Sequence, residues 1–108
     1  MDKSTKVISL DNFIKDNKIK DQIILKIDVD GFEINVLNSC KKTLKKRNPI
    51  IFMEYAPYTM VEKGFSVSKF KKFIATHDYS VFDLNYKRLK NINISDGAST
   101  DIVLIKNK

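Results

Sequence analysis

Strand-like and helix-like segments alternate along this chain, and that alternation limits the folds open to it. Four β-branched or apolar runs have the length of a strand: residues 23–29, 50–56, 79–84 and 99–106. Two segments with helical spacing of apolar residues lie between the first three runs: residues 32–47 and 66–77. This order predicts an α/β fold in which three parallel strands are joined by crossover helices on one face. The last strand follows no helix, so we expect it to enter the sheet antiparallel.

Local signals mark the ends of the helices. Residues 9–17 predict a short first helix that Ser9 caps. Residues 58–65, YTMVEKGF, are predicted to form a loop after the second strand. Either Ser66 or Ser68 is expected to cap the helix that follows.

Length and composition limit the kind of protein. The 108 residues have room for one domain, 1–108, and 43% hydrophobic with 31% charged residues excludes a disordered chain. There is no apolar run of about 18 residues, and the polar start MDKSTK lacks a signal-peptide core, so we expect a cytoplasmic protein without a membrane segment. The single cysteine, Cys40, excludes an internal disulfide and a multi-cysteine metal site. We assign no residue as a metal ligand.

The net charge of +7 comes almost entirely from lysine, which outnumbers arginine 18 to 2. Reading of bases and tight phosphate binding rely on arginine. Lys, Asn and Ile together make 41 of 108 residues, and a genome rich in A and T accounts for much of that excess. The densest cluster, in residues 41–47, is interpreted as the solvated face and last turn of a helix. We therefore expect no nucleic-acid partner.

Acidic side chains cluster where the first strand ends. Asp28, Asp30 and Glu33 fall within six residues, at the carboxyl end of that strand, where ligands bind in open α/β sheets. Such carboxylates can hold a divalent cation or accept hydrogen bonds from sugar hydroxyls. A calcium loop is excluded, because its first and last ligands would be Lys26 and Leu37.

A structural interpretation of the same residues stays open. Asp30 and Glu33 have the spacing of a capping box, in which each satisfies a backbone amide at the start of a helix. Lys26 and Asp28 point to the same side of the strand, so ion pairing with neighbours would also satisfy them. Residue types and spacing do not decide between these roles.

Three ordered segments resemble FkbM-type methyltransferases. Ile23-Ile-Leu-Lys-Ile-Asp-Val-Asp-Gly-Phe-Glu33, running on to Val36-Leu37, is similar to the family string K-I-D-V-E-G-x-E followed by V-L-x-G. Ile8-Ser9-Leu10-Asp11 resembles the T-L-D segment that precedes it, and Asn48-Pro-Ile-Ile-Phe-Met-Glu54 resembles the P-x-I-x-x-E strand that follows. Asp30 stands where the family usually has Glu. The resemblance covers about residues 7–56.

The resemblance implies a function and a cofactor. Family members transfer a methyl group from S-adenosylmethionine, here expected to go to an oxygen of a sugar-like or small polar acceptor. It implies that Asp28 faces both the methyl donor and the acceptor, and that Asp30 or Glu33 binds or deprotonates the acceptor hydroxyl. Glu54, at the end of the next strand, is expected to help shape the acceptor pocket. Tyr55 and Tyr58 follow that strand at the same edge of the sheet, where they contact the acceptor or serve only in packing.

One feature of the family is missing, the glycine-rich turn that binds the cofactor, since no G-x-G occurs. The chain therefore resembles the C-terminal half of a Rossmann-like methyltransferase domain. By itself it is expected to be inactive and to bind S-adenosylmethionine weakly or not at all. The alternative is a non-catalytic binding or assembly module derived from half of that fold.

The missing half would leave one face of the sheet bare. The strands are apolar at consecutive positions, which is typical of strands buried on both sides. The strand at 23–29 would also have an unpaired edge. We therefore expect the chain to self-associate, or to pair with an N-terminal half, through that edge or through the side chains on the bare face: Ile24, Ile50, Phe52, Val103 and Ile105.

Overall fold

The computed structural model describes residues 8–29, 32–62, 64, 66–90 and 99–107. Its strands form one four-stranded sheet: β1 (Ile24–Ile27), β2 (Ile50–Tyr55), β3 (Tyr79–Phe82) and β4 (Thr100–Lys106). Its helices are α1 (Leu10–Asp16), α2 (Glu33–Asn38), α3 (Lys41–Arg47), α4 (Pro57–Glu62) and α5 (Val67–Thr76). The predicted α/β class is confirmed.

The sheet order is β1-β2-β4-β3. β1 and β2 pair in parallel, and β4 pairs antiparallel with both β2 and β3. The three strands β1, β2 and β3 therefore run in one direction and β4 runs against them, as the element order predicted. The position of β4 was not predicted: it lies between β2 and β3, so β3 has no direct contact with β2 in the ladder.

Serine side chains begin two of the helices as expected. Ser9 accepts a hydrogen bond from the backbone N–H of Asn12 at 3.1 Å, and Ser66 accepts one from Lys69 at 3.2 Å. Each bond satisfies a backbone donor that has no partner within its helix. Ser66, rather than Ser68, is thus the cap of α5.

The helix predicted over 32–47 is two helices, α2 and α3, and the prediction of one continuous helix is wrong. Ser39 donates its hydroxyl proton to the carbonyl of Val36 at 2.6 Å, and Cys40 leaves the helical region with φ −123° and ψ 44°. A serine that bonds to a nearby carbonyl competes with the helical ladder. The apolar positions keep their spacing across the break, which is why periodicity alone does not reveal it.

The loop predicted over 58–65 is also wrong in its first part, where α4 lies. Pro57 is the first residue of that helix. Proline suits the first helical position, because it lacks the N–H that would have no partner there and its φ is already near the helical value. β2 ends at Tyr55, two residues before Pro57, so the segment predicted as a loop begins inside a helix.

The helices α2, α3 and α5 pack on one face of the sheet. One core cluster joins Leu37, Leu44, Phe70 and Phe73 of these helices to alternate residues of the strands. We call this the helix-covered face; its strand residues in the core are Ile27, Ile51, Met53, Tyr55, Tyr79, Val81, Ile102 and Leu104. Placement of both crossovers on one face confirms the prediction made from their common direction.

The other side of the sheet, which we call the opposite face, carries the alternate strand residues: Ile24, Lys26, Ile50, Phe52, Glu54, Ser80, Phe82, Asp101, Val103 and Ile105. Ile24 is 61% exposed, and Ile50, Phe52 and Ile105 are half-buried. The expectation that Val103 would face water is wrong, because it is fully buried. Val103 lies in a central strand, opposite Phe52 on one side and Phe82 on the other.

The longest of the described helices, α5, has ten residues. About 20 apolar residues are needed to cross a bilayer, so none of the helices in the described part of the chain can span a membrane.

Candidate functional site

A cavity of about 300 Å³ lies where β1 and β2 end and β4 begins. Its charged lining consists of Lys26, Asp28, Glu54 and Asp101. Phe52 and Leu84 supply apolar surface. Cavities that combine apolar walls with a few polar groups are typical of small-molecule sites.

The strand register explains why these side chains meet. Lys26 lies opposite Phe52, and Glu54 lies directly opposite Asp101, on the same face of the sheet. Asp28 follows the last residue of β1 and is exposed. Two carboxylates placed directly across a ladder repel each other, and Lys26 is the one cation among the residues that line the cavity. The cavity is therefore acidic.

Two of the predicted site residues are brought together here, Asp28 and Glu54. Asp101 was not foreseen, although the signal existed. A strand predicted to enter antiparallel must begin at the edge where the parallel strands end, so its first acidic residue belongs at that edge. Leu84 follows β3 and had no sequence signal.

The other two predicted carboxylates do not line the cavity as described. Glu33 is 2% exposed, and its Oε2 accepts a hydrogen bond from the backbone N–H of Val29 at 3.2 Å. Glu33 is the first residue of α2 and bonds to an amide four residues earlier in the chain, so this bond is not the one that a capping box with Asp30 predicts. It fixes the segment that follows Asp28. Asp30 falls outside the described residues.

The two tyrosines lie apart from the cavity. Tyr55 is fully buried on the helix-covered face, where its ring stacks on Phe70 with centroids 4.7 Å apart. Burial raises the pKa of its phenol, and among the described residues its hydroxyl has no hydrogen-bond partner. Tyr58 is the second residue of α4 and is 41% exposed. Neither side chain contributes to the lining of the acidic cavity.

Asp11, which the sequence placed only in a motif, joins two helices. It lies in α1, and its carboxylate accepts hydrogen bonds from the backbone N–H and the hydroxyl of Thr43 at 2.9 Å and 2.5 Å. The N–H of Lys42 adds a longer contact at 3.4 Å. These donors belong to the first turn of α3, so Asp11 caps a helix from outside it. Its role in the structure is to hold the helices, at a distance from the site.

The cavity offers acceptors rather than a nucleophile. Within the described part of the chain, the carboxylates of Asp28, Glu54 and Asp101 make no hydrogen bond to protein groups, so they can accept bonds from a ligand. The described residues include no group of three His, Cys, Asp or Glu side chains placed to hold a metal ion. Cys40 is fully buried, and burial raises the pKa of its thiol to about 11, which makes it unreactive. This arrangement suits binding of hydroxyl or cationic groups.

Comparison with models of protein families identifies a family for this chain. No curated protein and no solved structure matches the chain. The family model described as the methyltransferase FkbM domain matches residues 2–93, which include all the elements from α1 to β3. β4, with Asp101, follows the end of the match. The match covers most of the chain and includes the three segments whose resemblance was read from the sequence, so the chain belongs to the FkbM methyltransferase domain family.

Proposed function

We propose that this protein transfers a methyl group from S-adenosylmethionine to an oxygen of a sugar-like or small polar acceptor. Membership of the FkbM family supports a methyltransferase-type function. The observation that carries the proposal further is the shared cavity of Asp28 and Glu54, at the carboxyl ends of adjacent parallel strands. That edge of an α/β sheet is where ligands bind.

The fold proposed to hold this site is the C-terminal half of a Rossmann-like methyltransferase domain. The supporting features are two adjacent parallel strands with crossover helices on one face, and an antiparallel strand between β2 and β3. β1 is at the edge of the described sheet. Its exposed Ile24 and unshared ladder edge suit a further strand, from a preceding half of the domain or from a second copy.

The residues present fit the cationic end of the proposed cofactor. S-adenosylmethionine supplies a methyl group bound to a positively charged sulfur. Asp28 is the residue we propose to face it, because an exposed carboxylate at the end of β1 favours a positive charge nearby. The rest of the cofactor needs surface beyond the β1 edge. For that reason we propose that the chain alone binds it weakly or not at all.

The acceptor is proposed to bind through the remaining carboxylates. Glu54 and Asp101 accept hydrogen bonds from its hydroxyl groups, and Phe52 packs against its carbon atoms. Asp28 is proposed to accept the proton of the reacting hydroxyl, since it is the exposed carboxylate next to the proposed methyl donor. Alignment within about 3–3.5 Å of the methyl group supplies much of the rate. Glu33 acts as a positioning residue, through its bond to Val29.

An assay of methyl transfer by the full-length gene product tests this proposal. The assay measures transfer of a labelled methyl group from S-adenosylmethionine to a panel of monosaccharides. Asp28→Asn is expected to lower turnover at least tenfold, because it removes both the negative charge and the proton acceptor. Glu54→Gln is expected to raise KM more than it lowers kcat, since Glu54 is proposed to bind the acceptor.

Asp16→Asn is the matched control, because Asp16 is an exposed aspartate at the end of α1 and lies outside the cavity. It is expected to leave turnover within twofold of the wild type (about 0.4 kcal/mol). Equal turnover of Asp28→Asn and the wild type would remove Asp28 from the catalytic role. Absence of methyl transfer to every hydroxylated acceptor would contradict the proposed reaction.

The second candidate is a non-catalytic binding or assembly module. It is favoured by the open β1 edge and by the lack of a G-x-G string in the sequence. Calorimetric titration separates the two functions. The enzyme is supported if the gene product binds S-adenosylmethionine and Asp28→Asn weakens that binding. A gene product that binds acceptor sugars but never the cofactor supports the module.

A further inference from the structure

The helix-covered side of the protein carries a second concave surface, which we call the lysine groove. It lies between α2 and α5 and has a volume of about 270 Å³. Ile34 and Phe73 form its apolar floor, since both are buried. The groove lies on the helix side of the sheet, whereas the charged lining of the acidic cavity lies on or beside the opposite face. The groove and the acidic cavity are therefore separate sites on opposite sides of the sheet.

The groove is lined by cations and by no carboxylate. Its ammonium groups belong to Lys41 of α3 and to Lys69 and Lys72 of α5. The ammonium group of Lys69 is held in place by a hydrogen bond, which its Nζ donates to the carbonyl of Gly64 at 3.3 Å. Three positive charges around one small groove raise the local potential and favour an anion there.

The helices α3 and α5 carry a larger excess of positive charge than the composition of the whole chain explains. α3 carries five cations and α5 carries three, eight in 17 residues, and neither helix has an acidic residue. The whole chain has 13 acidic residues for 20 cations. A genome rich in A and T raises lysine along the entire chain. It does not explain why α3 and α5 both lack Asp and Glu, whereas α2, which also borders the groove, has Glu33 in its first turn.

Neutral donors complete the lining. Asn38, Thr76 and His77 contribute an amide, a hydroxyl and an imidazole. His77 follows α5, and its ring lies 4.6 Å from that of Phe73, centroid to centroid. Burial lowers the pKa of His77, and the charges of Lys106 and Lys41 lower it further. Of these two lysines, Lys41 also lines the groove.

We propose that the lysine groove binds the phosphate group of a small ligand. Phosphate oxygens accept several hydrogen bonds at once, and lysine binds phosphate as a point charge. Lys41 supplies charge from the start of α3 and Lys72 supplies it from α5, and Asn38 and Thr76 supply directional bonds. The buried ring of Phe73 gives the rest of the ligand an apolar surface. The groove lies outside the proposed methyltransferase site and shares no lining residue with it, so this proposal does not depend on that function.

Titration with inorganic pyrophosphate, followed by NMR, tests the site. Saturable shifts are expected at the backbone amides of Asn38, Lys41, Thr76 and His77. The double variant Lys41→Gln/Lys72→Gln is expected to weaken binding at least tenfold. Bound pyrophosphate should also raise the titration midpoint of His77, because a neighbouring anion favours the protonated imidazole.

Lys71→Gln is the matched control, because Lys71 is adjacent to Lys72 in the same helix but does not line the groove. The single variants Lys71→Gln and Lys72→Gln change the net charge equally. Lys72→Gln is expected to weaken pyrophosphate binding at least threefold, and Lys71→Gln by less than half that factor.

Three outcomes would overturn the proposal. Equal weakening by Lys71→Gln and Lys72→Gln would mean that only the overall charge attracts the anion. Absence of saturable shifts up to about 10 mM pyrophosphate would exclude a site of useful affinity. A single-stranded oligonucleotide that pyrophosphate fails to displace would show an extended polyanion surface instead.

Discussion

The carboxylate of Asp11 lies in one helix and makes its hydrogen bonds in another. Partial burial acts to raise the pKa of this group, but the hydrogen bonds from Thr43 and Lys42 outweigh burial and hold the pKa below its usual value. The folded state therefore stabilises the ionised form. That stabilisation is present above the pKa of the unfolded chain, about 3.9, and is lost as the pH falls through the lower folded value.

Asp11→Ala is expected to lower the free energy of unfolding by about 1–3 kcal/mol at pH 7, because Thr43 is buried and loses the acceptor for its hydroxyl and its N–H. The difference from the wild type should shrink below about pH 4 as Asp11 is protonated. Urea unfolding at several pH values measures both effects. Asp16→Ala, in the same helix, is the control, and an equal loss in that variant would contradict the capping role.

Two buried tyrosines differ in the hydrogen bonding of their hydroxyl groups. Tyr79 donates its hydroxyl proton to the carbonyl of Pro49 at 2.8 Å, whereas the hydroxyl of Tyr55 has no partner among the described residues. Tyr79→Phe is expected to lower the free energy of unfolding by about 1–2 kcal/mol. Tyr55→Phe is expected to leave it unchanged or to raise it by up to about 1 kcal/mol, because a desolvated hydroxyl is removed. An equal loss in both variants would place a partner of Tyr55 outside the described residues.

Among the elements, β4 has the largest role in the fold. It is the shared partner of β2 and β3, which do not pair with each other. Ile102, Val103 and Leu104 of this strand are each fully buried. At about 1.5–3 kcal/mol for each buried side chain, these three contribute on the order of 5–9 kcal/mol. A whole domain has only about 5–15 kcal/mol of net stability.

A chain that ends at residue 98 is therefore expected to be unfolded. Its amide NMR spectrum should show the narrow dispersion of a disordered chain. A chain that ends at Lys106 is the control: it loses Asn107, whose side chain bonds Ser80 and Asp78. That control is expected to fold with a loss of about 1–3 kcal/mol. Native dispersion in the shorter chain would show that β2 and β3 do not depend on β4.

At the scale of the whole molecule, the two sides of the sheet differ in chemistry. The helix side is basic, with eight cations and no carboxylate in α3 and α5. The opposite face has an acidic cavity at one end and apolar residues elsewhere, of which Ile24 is the most exposed. Burial of Val103 makes this apolar surface smaller than the sequence suggested. The most exposed of the remaining apolar residues, Ile24, belongs to β1, which is an edge strand.

Self-association through β1 is the expected result, because an exposed edge strand with an apolar side chain pairs readily with another chain. Sedimentation should detect oligomers of the 108-residue chain at low micromolar concentration. Ile24→Lys is expected to weaken association at least tenfold. Ile8→Lys is the matched control, since Ile8 is 60% exposed but lies outside the sheet. A monomer at all concentrations, or equal effects of the two variants, would contradict association through this edge.

Local patterns were enough to predict the four strands, the helices α1 and α5, and part of the site. Strand-length apolar runs, helical spacing and the serine caps depend on neighbours within a few residues, so the α/β class and the direction of each strand could be read from them. Asp28 and Glu54 could be placed together for the same reason: each follows or ends a strand of a predicted parallel pair. The resemblance to the FkbM family also rests on local strings, and the family match confirmed it.

Only the tertiary structure decided what depends on contacts between distant residues. The position of β4 between β2 and β3 is set by which ladders form, and it brings Asp101 to the cavity and buries Val103. The break between α2 and α3 occurs where Asp11, about 30 residues earlier, supplies acceptors for the new helix start. Tyr55 lies on the helix-covered face of the sheet, so its side chain is in the core and not in the acidic cavity. Each of these outcomes is a choice among pairings that the local pattern allows equally, and burial of apolar surface together with hydrogen bonding of buried groups selects one of them.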